Sequence, residues 1–442
     1  MKNLTQDERY NSTLLVTDGI LYYASRALFD YNVLVPAFVS YLGASPFLVG
    51  LASSINRLGF YFPQVFVANY AAVRPLNKPI LLLGVKVYTF ALFALIPPML
   101  LLAGRAPGAA LALFFILYSI SCAGDGVQAL PWVDILAKAI QSTKRGRLLG
   151  YMQTLAGIAS FGMAALVAWV LGRAWLAFPV NYMLLVFLSA LLGLCSVKVL
   201  GFLREPVREI SEKRESLSRY LRSIPAVIQA NPGYNRFLLV RVLSQSYSLA
   251  APFYVTFAID VLGAPKSLMG GFIAAQMAGV MVGGVLLGYV GDLAGNSWSV
   301  RLSLAASLMS PLAALFVGYG LANGRLGGMA VFFLLVLYFF LGAAVAGLWM
   351  TLQNYLLELV HPDNRATCVG LANIFIAPMS FLPVMGGFLL GFIEYRGLFS
   401  LTFLLVLAAF GFSLGLSEPR RTGASGPGRE DRELLPGKSL PN

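Results

Sequence analysis

Several ionisable side chains of this sequence stand inside long apolar runs, and their types and spacing limit what chemistry they can do. Arg26 and Asp30 are four residues apart, a spacing that puts both on one face of a helix. Asn56 and Arg57 fall near the middle of the second apolar run, and Asp125 sits between Gly124 and Gly126 in the fourth. An ionisable group near the middle of a hydrocarbon layer costs about 2.5–3.5 kcal/mol, so each needs a partner or a purpose. A carboxyl group there can take up and release a proton, an arginine can hold an anion, and together they can simply pin helices as a static ion pair. Asp18 and Lys86 lie nearer run ends, where a long side chain can snorkel and a structural role is favoured. The second half has no equal at that depth, since Arg241, Asp260 and Glu358 sit nearer helix ends. Tyr22, Gln128, Gln276 and Trp349 are further candidates for lining a cavity, with helix packing as their plainer role.

The elements that position these residues follow from composition. The chain has 442 residues, 58% hydrophobic and 12% charged, whereas a soluble domain carries roughly 25% charge. Most of it cannot face water, and disordered and fibrous classes are excluded. About 20 apolar residues cross a hydrocarbon core about 30 Å thick. By that ruler about twelve spans are expected, near 16–41, 46–70, 80–103, 109–133, 148–172, 178–200, 237–262, 268–291, 299–321, 328–353, 367–392 and 396–416. Continuous apolar runs favour helices over a barrel, whose strands alternate. The first run is too long for a signal peptide and is expected to remain as a helix.

The net charge of +13 is concentrated in alternate loops, which suits anionic lipid headgroups better than nucleic acid. Lys138, Lys144, Arg145 and Arg147 share one such loop, whereas the loops on the other side hold at most one basic residue each. The positive-inside rule therefore places both termini in the cytoplasm, in a multi-pass protein of the cell membrane. The expected organisation is a six-helix bundle over 1–200, a charged linker over 201–235, a second bundle over 236–419 and a disordered tail over 420–442.

The halves repeat one another. At one constant offset Asp134 pairs with Asn354, Arg145 with Arg365, Gly150 with Gly370 and Ala68 with Gly288. Each half also closes on Glu-Pro, at Glu205-Pro206 and Glu418-Pro419. After the eighth span the chain carries Gly288, Asp292 and Gly295 with Arg301 beyond, a Gly-x-x-x-Asp-x-x-Gly turn. Its counterpart after the second span has decayed to Ala68 and Ala72 with Arg74 and Lys78. With this turn, its decayed repeat and the duplicated halves, the chain resembles the major facilitator superfamily of transporters over nearly all its length. That resemblance implies an all-α polytopic fold of two pseudo-symmetric six-helix bundles, with spans one and four lining a central cavity and span two beside it. It would bring Asp30, Arg57 and Asp125 towards one aqueous space. Asp30 or Asp125 is then the expected proton-coupling acid, with Arg57 its counter-ion or an anion site, and Arg26, Asn56, Gln128, Tyr22, Gln276 and Trp349 as further lining. Gly288, Asp292, Gly295, Arg301, Arg145 and Arg365 are the expected conformational gate. A Pro-x-x-Gly-Gly pattern, tied to antiport when in span five, occurs here in span eleven as Pro383, Gly386 and Gly387, so no antiporter expectation follows.

An enzyme is not expected. The one histidine, His361, lies in a loop and leaves no His-based acid–base pair or metal cluster, and no phosphate-cradling Gly-rich loop is present. Three cysteines, Cys122, Cys195 and Cys368, make no disulfide framework. No cofactor or metal is expected. The reading is a monomeric secondary active transporter moving a small solute by alternating access, proton-coupled, with efflux of a drug-like or weakly polar compound as one form. A lipid or amphiphile translocase and a facilitative uniporter are the alternatives on the same fold.

Overall fold

The computed structural model describes residues 5–71, 74–207, 233–320, 327–360 and 365–419, so most of the linker, the tail and His361 lie outside the described residues. Twelve passes are built from helices alone among those residues. Span one is two helices, Gln6–Leu28 and Leu34–Tyr41, and span two is Pro46–Ala71. Spans three to six are Lys78–Leu102, Pro107–Ala139, Ser142–Leu171 and Val180–Gly201. Span seven is broken like span one, into Tyr234–Leu243, a 3-10 stretch Ser244–Leu249, and Phe253–Asp260. Spans eight to ten are Leu268–Ala294, Asn296–Gly320 and Gly328–Leu359.

Spans eleven and twelve run nearly continuously from Arg365 through a 3-10 turn at Ala377–Phe381 into Leu382–Ser413. The apolar stretch Cys368–Ser413 is 46 residues long, about 70 Å at 1.5 Å per residue, over twice a hydrocarbon core of about 30 Å. It is two passes, and the chain reverses at Glu394, where φ is 55° and ψ 179°. By length and composition, eight helical segments among the described residues are apolar enough to cross a membrane. Spans one, two and seven are not among them, and they carry Asp18, Arg26, Asp30, Asn56, Arg57 and Arg241. Most of the buried charge therefore sits on these spans, with Asp125 of span four the exception.

Packing repeats between the halves. In the first, span four lies on spans two and three, and span three on span six; in the second, span ten lies on spans eight and nine, and span nine on the Leu382–Ser413 helix. Between halves, span two meets the Leu382–Ser413 helix and span five meets span eight, two contacts that exchange under a pseudo-twofold. Small residues allow the approach. Gly279 of span eight lies against the backbone of Phe339 in span ten, and Gly387 of span eleven against the backbone of Pro46 in span two.

Call basal the end where span one begins and spans six and twelve finish. There each half is closed by its Glu-Pro. The Glu205 carboxylate accepts the N–H groups of Asn77 and Lys78 at 2.7–2.8 Å, capping span three, and also takes Lys138 Nζ at 2.9 Å. Glu418 accepts Ser297 N–H at 2.9 Å and Ser297 Oγ–H at 2.7 Å, at the start of span nine. A carboxylate at a helix N-terminus satisfies orphan N–H groups and meets the positive end of the dipole. The duplicated Glu-Pro is thus a duplicated helix cap.

The glycine contacts predict opposite signs on one helix. Gly279→Ala forces a methyl group into the Phe339 backbone and should destabilise by about 1–3 kcal/mol. Gly284, with nothing within 4 Å of a built Cβ, should tolerate Gly284→Ala or gain up to about 1 kcal/mol. Thermal melting of the purified variants checks both.

Candidate functional site

The site is built on the break in span one. The first helix ends at Leu28, with Phe29 at φ −139° and ψ 58°, so Asp30 is not on the helix that carries Arg26. The expected shared face for Arg26 and Asp30 therefore does not form, because the chain leaves the helix between them. Asp30 instead caps the second helix. Its Oδ1 accepts the N–H groups of Asn32 and Val33 at 2.8 Å each, and its carbonyl accepts those of Leu34 and Val35. In hydrocarbon no water can serve those groups, so a break in a span needs such a cap. Asp30 Oδ2 accepts Gln276 Nε2–H from span eight at 3.2 Å, and Asn32 Nδ2 approaches Gln276 Oε1 at 3.5 Å. Asp30 is 3% exposed and Gln276 4%. One buried polar cluster thus ties the two halves.

Arg26 finds its anion in span four, where Asp125 Oδ2 lies 3.5 Å from its Nη1. Tyr22 O–H points at the same oxygen at 3.4 Å, and Gln128 Nε2 donates to Asp125 Oδ1 at 2.8 Å. The glycines beside Asp125 explain its depth. Gly126 lies on the backbone of Gly59 and Phe60 in span two, and Gly124 on that of Tyr88 in span three. A side chain at either would push spans two and three away from the carboxylate. Tyr22, Arg26, Asp125 and Gln128 are therefore one constellation, and Asp30 with Gln276 is another.

Arg57 belongs to neither. Its Nη2 donates to Tyr247 Oη at 3.2 Å, in the 3-10 break of span seven, and its guanidinium stands 5.4 Å from the centre of that ring. Asn56 is buried, with Nδ2 3.7 Å from Cys122 Sγ. Trp349 is 73% exposed and takes no part in these contacts. Asp18 accepts Trp132 Nε1–H at 2.8 Å and the Ser196 hydroxyl, joining spans one, four and six. Asn32 and Tyr247 were not singled out by sequence, and Arg241 was set aside as lying nearer a helix end. The polar run Ser244–Ser248, inside an otherwise apolar span, was the signal for the break that holds Tyr247 and follows the helix of Arg241.

Of the expected gate residues, Arg145 and Arg301 bond within their own halves. Arg145 donates to the carbonyls of Ile140 and Ala137 at the end of span four. Arg301 donates to the carbonyls of Ser413, Leu414 and Leu416 at the end of span twelve, at 3.0–3.3 Å. Gly295, at φ 99°, turns the chain from span eight into span nine. Gly288 and Asp292 line a basal cavity of about 390 Å³ with Asn296, Asn354, Leu357 and Glu358. Arg365 begins span eleven, but its side chain lies outside the described residues.

Contacts between halves gather away from the basal end. Pro46 and Gly50 of span two touch Gly387 and Pro383 of span eleven, and Gly270 of span eight touches Ala164 and Ala168 of span five. The Lys266 ammonium, before span eight, stands 4.3 Å from the Tyr41 ring centre at the end of span one. Two six-span halves, each opening on a broken helix, meet at one end around buried polar ties.

Residues 236–440 match the family model described as Major Facilitator Superfamily. The chain has the major facilitator superfamily fold. It superposes on a bacterial homolog to the human lysosomal transporter Spinster, solved inward-facing and unoccupied, with a TM-score of 0.67 and 14% identity, covering 96% of this chain and 100% of that one. A D-xylose–proton symporter gives 0.69 and 14%, over 94% and 99% of the two chains. The nucleoside transporter NupG, solved as a point mutant, gives 0.68 and 13%, over 91% and 99%. At those identities the likeness speaks for the fold. No curated protein matches the sequence. On this facilitator fold the cluster around Asp125 sits on spans one and four.

A double-mutant cycle checks the Arg26–Asp125 pair. Arg26→Met alone strands a buried carboxylate and should cost about 3–5 kcal/mol, whereas Arg26→Met with Asp125→Leu should recover a substantial part. Melting of the single and double variants reads the difference; equal losses from single and double variants would mean that the pair is not coupled.

Proposed function

We propose that the protein is a secondary transporter that carries a small solute across the cell membrane by alternating access, coupled to protons through Asp30 or Asp125. The observation that carries this reading is the buried tie between halves, Asp30 to Gln276, at the break of span one. Alternating access needs two halves that rock about a central site, and a switch whose bonding differs between the two openings. Protonation of Asp30 removes an acceptor both from the cap of Leu34–Tyr41 and from the Gln276 amide, which loosens the contact between halves. Protonation of Asp125 frees Arg26. Burial penalises an ionised carboxyl, so opening the site to water on one side changes what it costs to release the proton there.

The basic loops place the termini in the cytoplasm, and the gathered contacts then close the outer side. On that orientation, the gathered contacts support a conformer open inwards. One chain supplies both halves, which supports the monomer as the unit of function.

Orientation is checked by labelling in a background without native cysteines. Trp175, 72% exposed between spans five and six, and Val207, 76% exposed after span six, are each replaced by Cys. An impermeant maleimide should label Trp175→Cys in intact cells and Val207→Cys only after lysis; the reverse pattern would invert the topology.

Coupling is checked in proteoliposomes with an imposed pH gradient and a panel of labelled sugars, nucleosides and organic ions. Wild type should concentrate at least one compound. Asp30→Asn or Asp125→Asn should abolish that accumulation while leaving exchange without a gradient. If both variants still concentrate the compound, the proton does not pass through these carboxyls.

A further inference from the structure

Two guanidinium groups, one in each half, have no carboxylate partner among the described residues. Arg57 of span two donates to a neutral phenol, Tyr247. Arg241 of span seven is 9% exposed, and its Nε is buried with no hydrogen-bond partner among the described residues. Its Nη2 reaches a neutral amide, Gln353 Oε1 of span ten, at 3.5 Å, and its guanidinium stands 5.8 Å from the Phe237 ring centre. Tyr61 of span two is near enough to feel the charge of both Arg57 and Arg241. Tyr31 interacts with Arg57 from the span-one side. The neighbouring carboxylates do not relieve this, because Asp125 is engaged by Arg26 and Asp30 by backbone N–H groups and Gln276.

A buried cation left without an anion is costly, and one that persists marks a place where an anion arrives from elsewhere. Guanidinium is suited to that task, since its planar fork matches carboxylate and phosphate oxygens and it stacks on aromatic faces.

We infer that Arg57 and Arg241 form a two-armed anion clamp, one arm from each half, and that the cargo is an organic anion with an aromatic or apolar body lying against Tyr31, Tyr61 and Tyr247. This rests on the transport reading above and names its substrate class. Tyr247 lies in the 3-10 break that follows the helix of Arg241, so the clamp is built on a discontinuous helix, the kind of element on which transporters place their sites. An anion shared by both arms holds span two to span seven. A conformer in which both arms reach the anion binds it more tightly than one in which only one arm does, and that difference in affinity moves the equilibrium.

The test uses a matched series, 1-naphthylacetate, its neutral amide 1-naphthylacetamide and the cation 1-naphthylmethylamine, bound to the purified full chain and followed by naphthyl fluorescence. The acid should bind at least about tenfold more tightly than either analogue, the worth of a charge-assisted hydrogen bond. Arg57→Gln and Arg241→Gln should each erase that preference and leave amide affinity unchanged. Should a Gln variant not fold, Arg57→Lys and Arg241→Lys keep the charge but lose the fork, and should weaken the acid by about tenfold. Equal binding of the three compounds, no binding by any of them, or acid affinity untouched by all four variants overturns the clamp. Flux in proteoliposomes separates the two readings. Accumulation of the amide or amine without preference for the acid sinks the clamp and leaves transport standing. Arginine-dependent acid binding with no flux of any compound leaves the clamp and sinks transport.

Discussion

Hydrocarbon offers no hydrogen-bond partners, so each break in a span must be satisfied by the protein itself. The first helix of each half is broken, and the consequences organise the site. In span one Asp30 accepts the N–H groups exposed by the break, and its remaining oxygen is taken by an amide from the opposite half. In span seven the 3-10 turn presents Tyr247 to Arg57. Satisfying the backbone locally has created the polar ties through which the two halves feel each other.

The same constraint accounts for the asymmetry of charge. Asp125 can be deep because Arg26, Tyr22 and Gln128 converge on it, and they converge because Gly124 and Gly126 let neighbouring helices come close. The arginines without carboxylates are the exception. Arg57 reaches across the seam to Tyr247, whereas Arg241 lies against Gln353 and Phe237 of its own half.

Duplication supplies the frame. Glu205 and Glu418 cap equivalent helices, spans three and nine, from the ends of equivalent spans. Arg145 and Arg301 hold the carbonyl ends of spans four and twelve within their own halves. Each basal end is therefore tied together by bonds within its own half.

The sequence by itself determined the class of fold. Its apolar run lengths count the crossings, and the repeated Glu-Pro and the paired Asp134 and Asn354 announce two related halves, because both signals are local in the chain. It also picked out the buried charges, since an ionisable residue among leucines is costly wherever it goes. Their partners were decided by tertiary structure alone. Arg26 and Asp30 read as neighbours on a helix, yet the helix stops at Leu28 and each turns to a span far away in sequence. Pairing across a membrane bundle depends on where a helix breaks and which backbones touch, and neither is written in the spacing of residues along one segment.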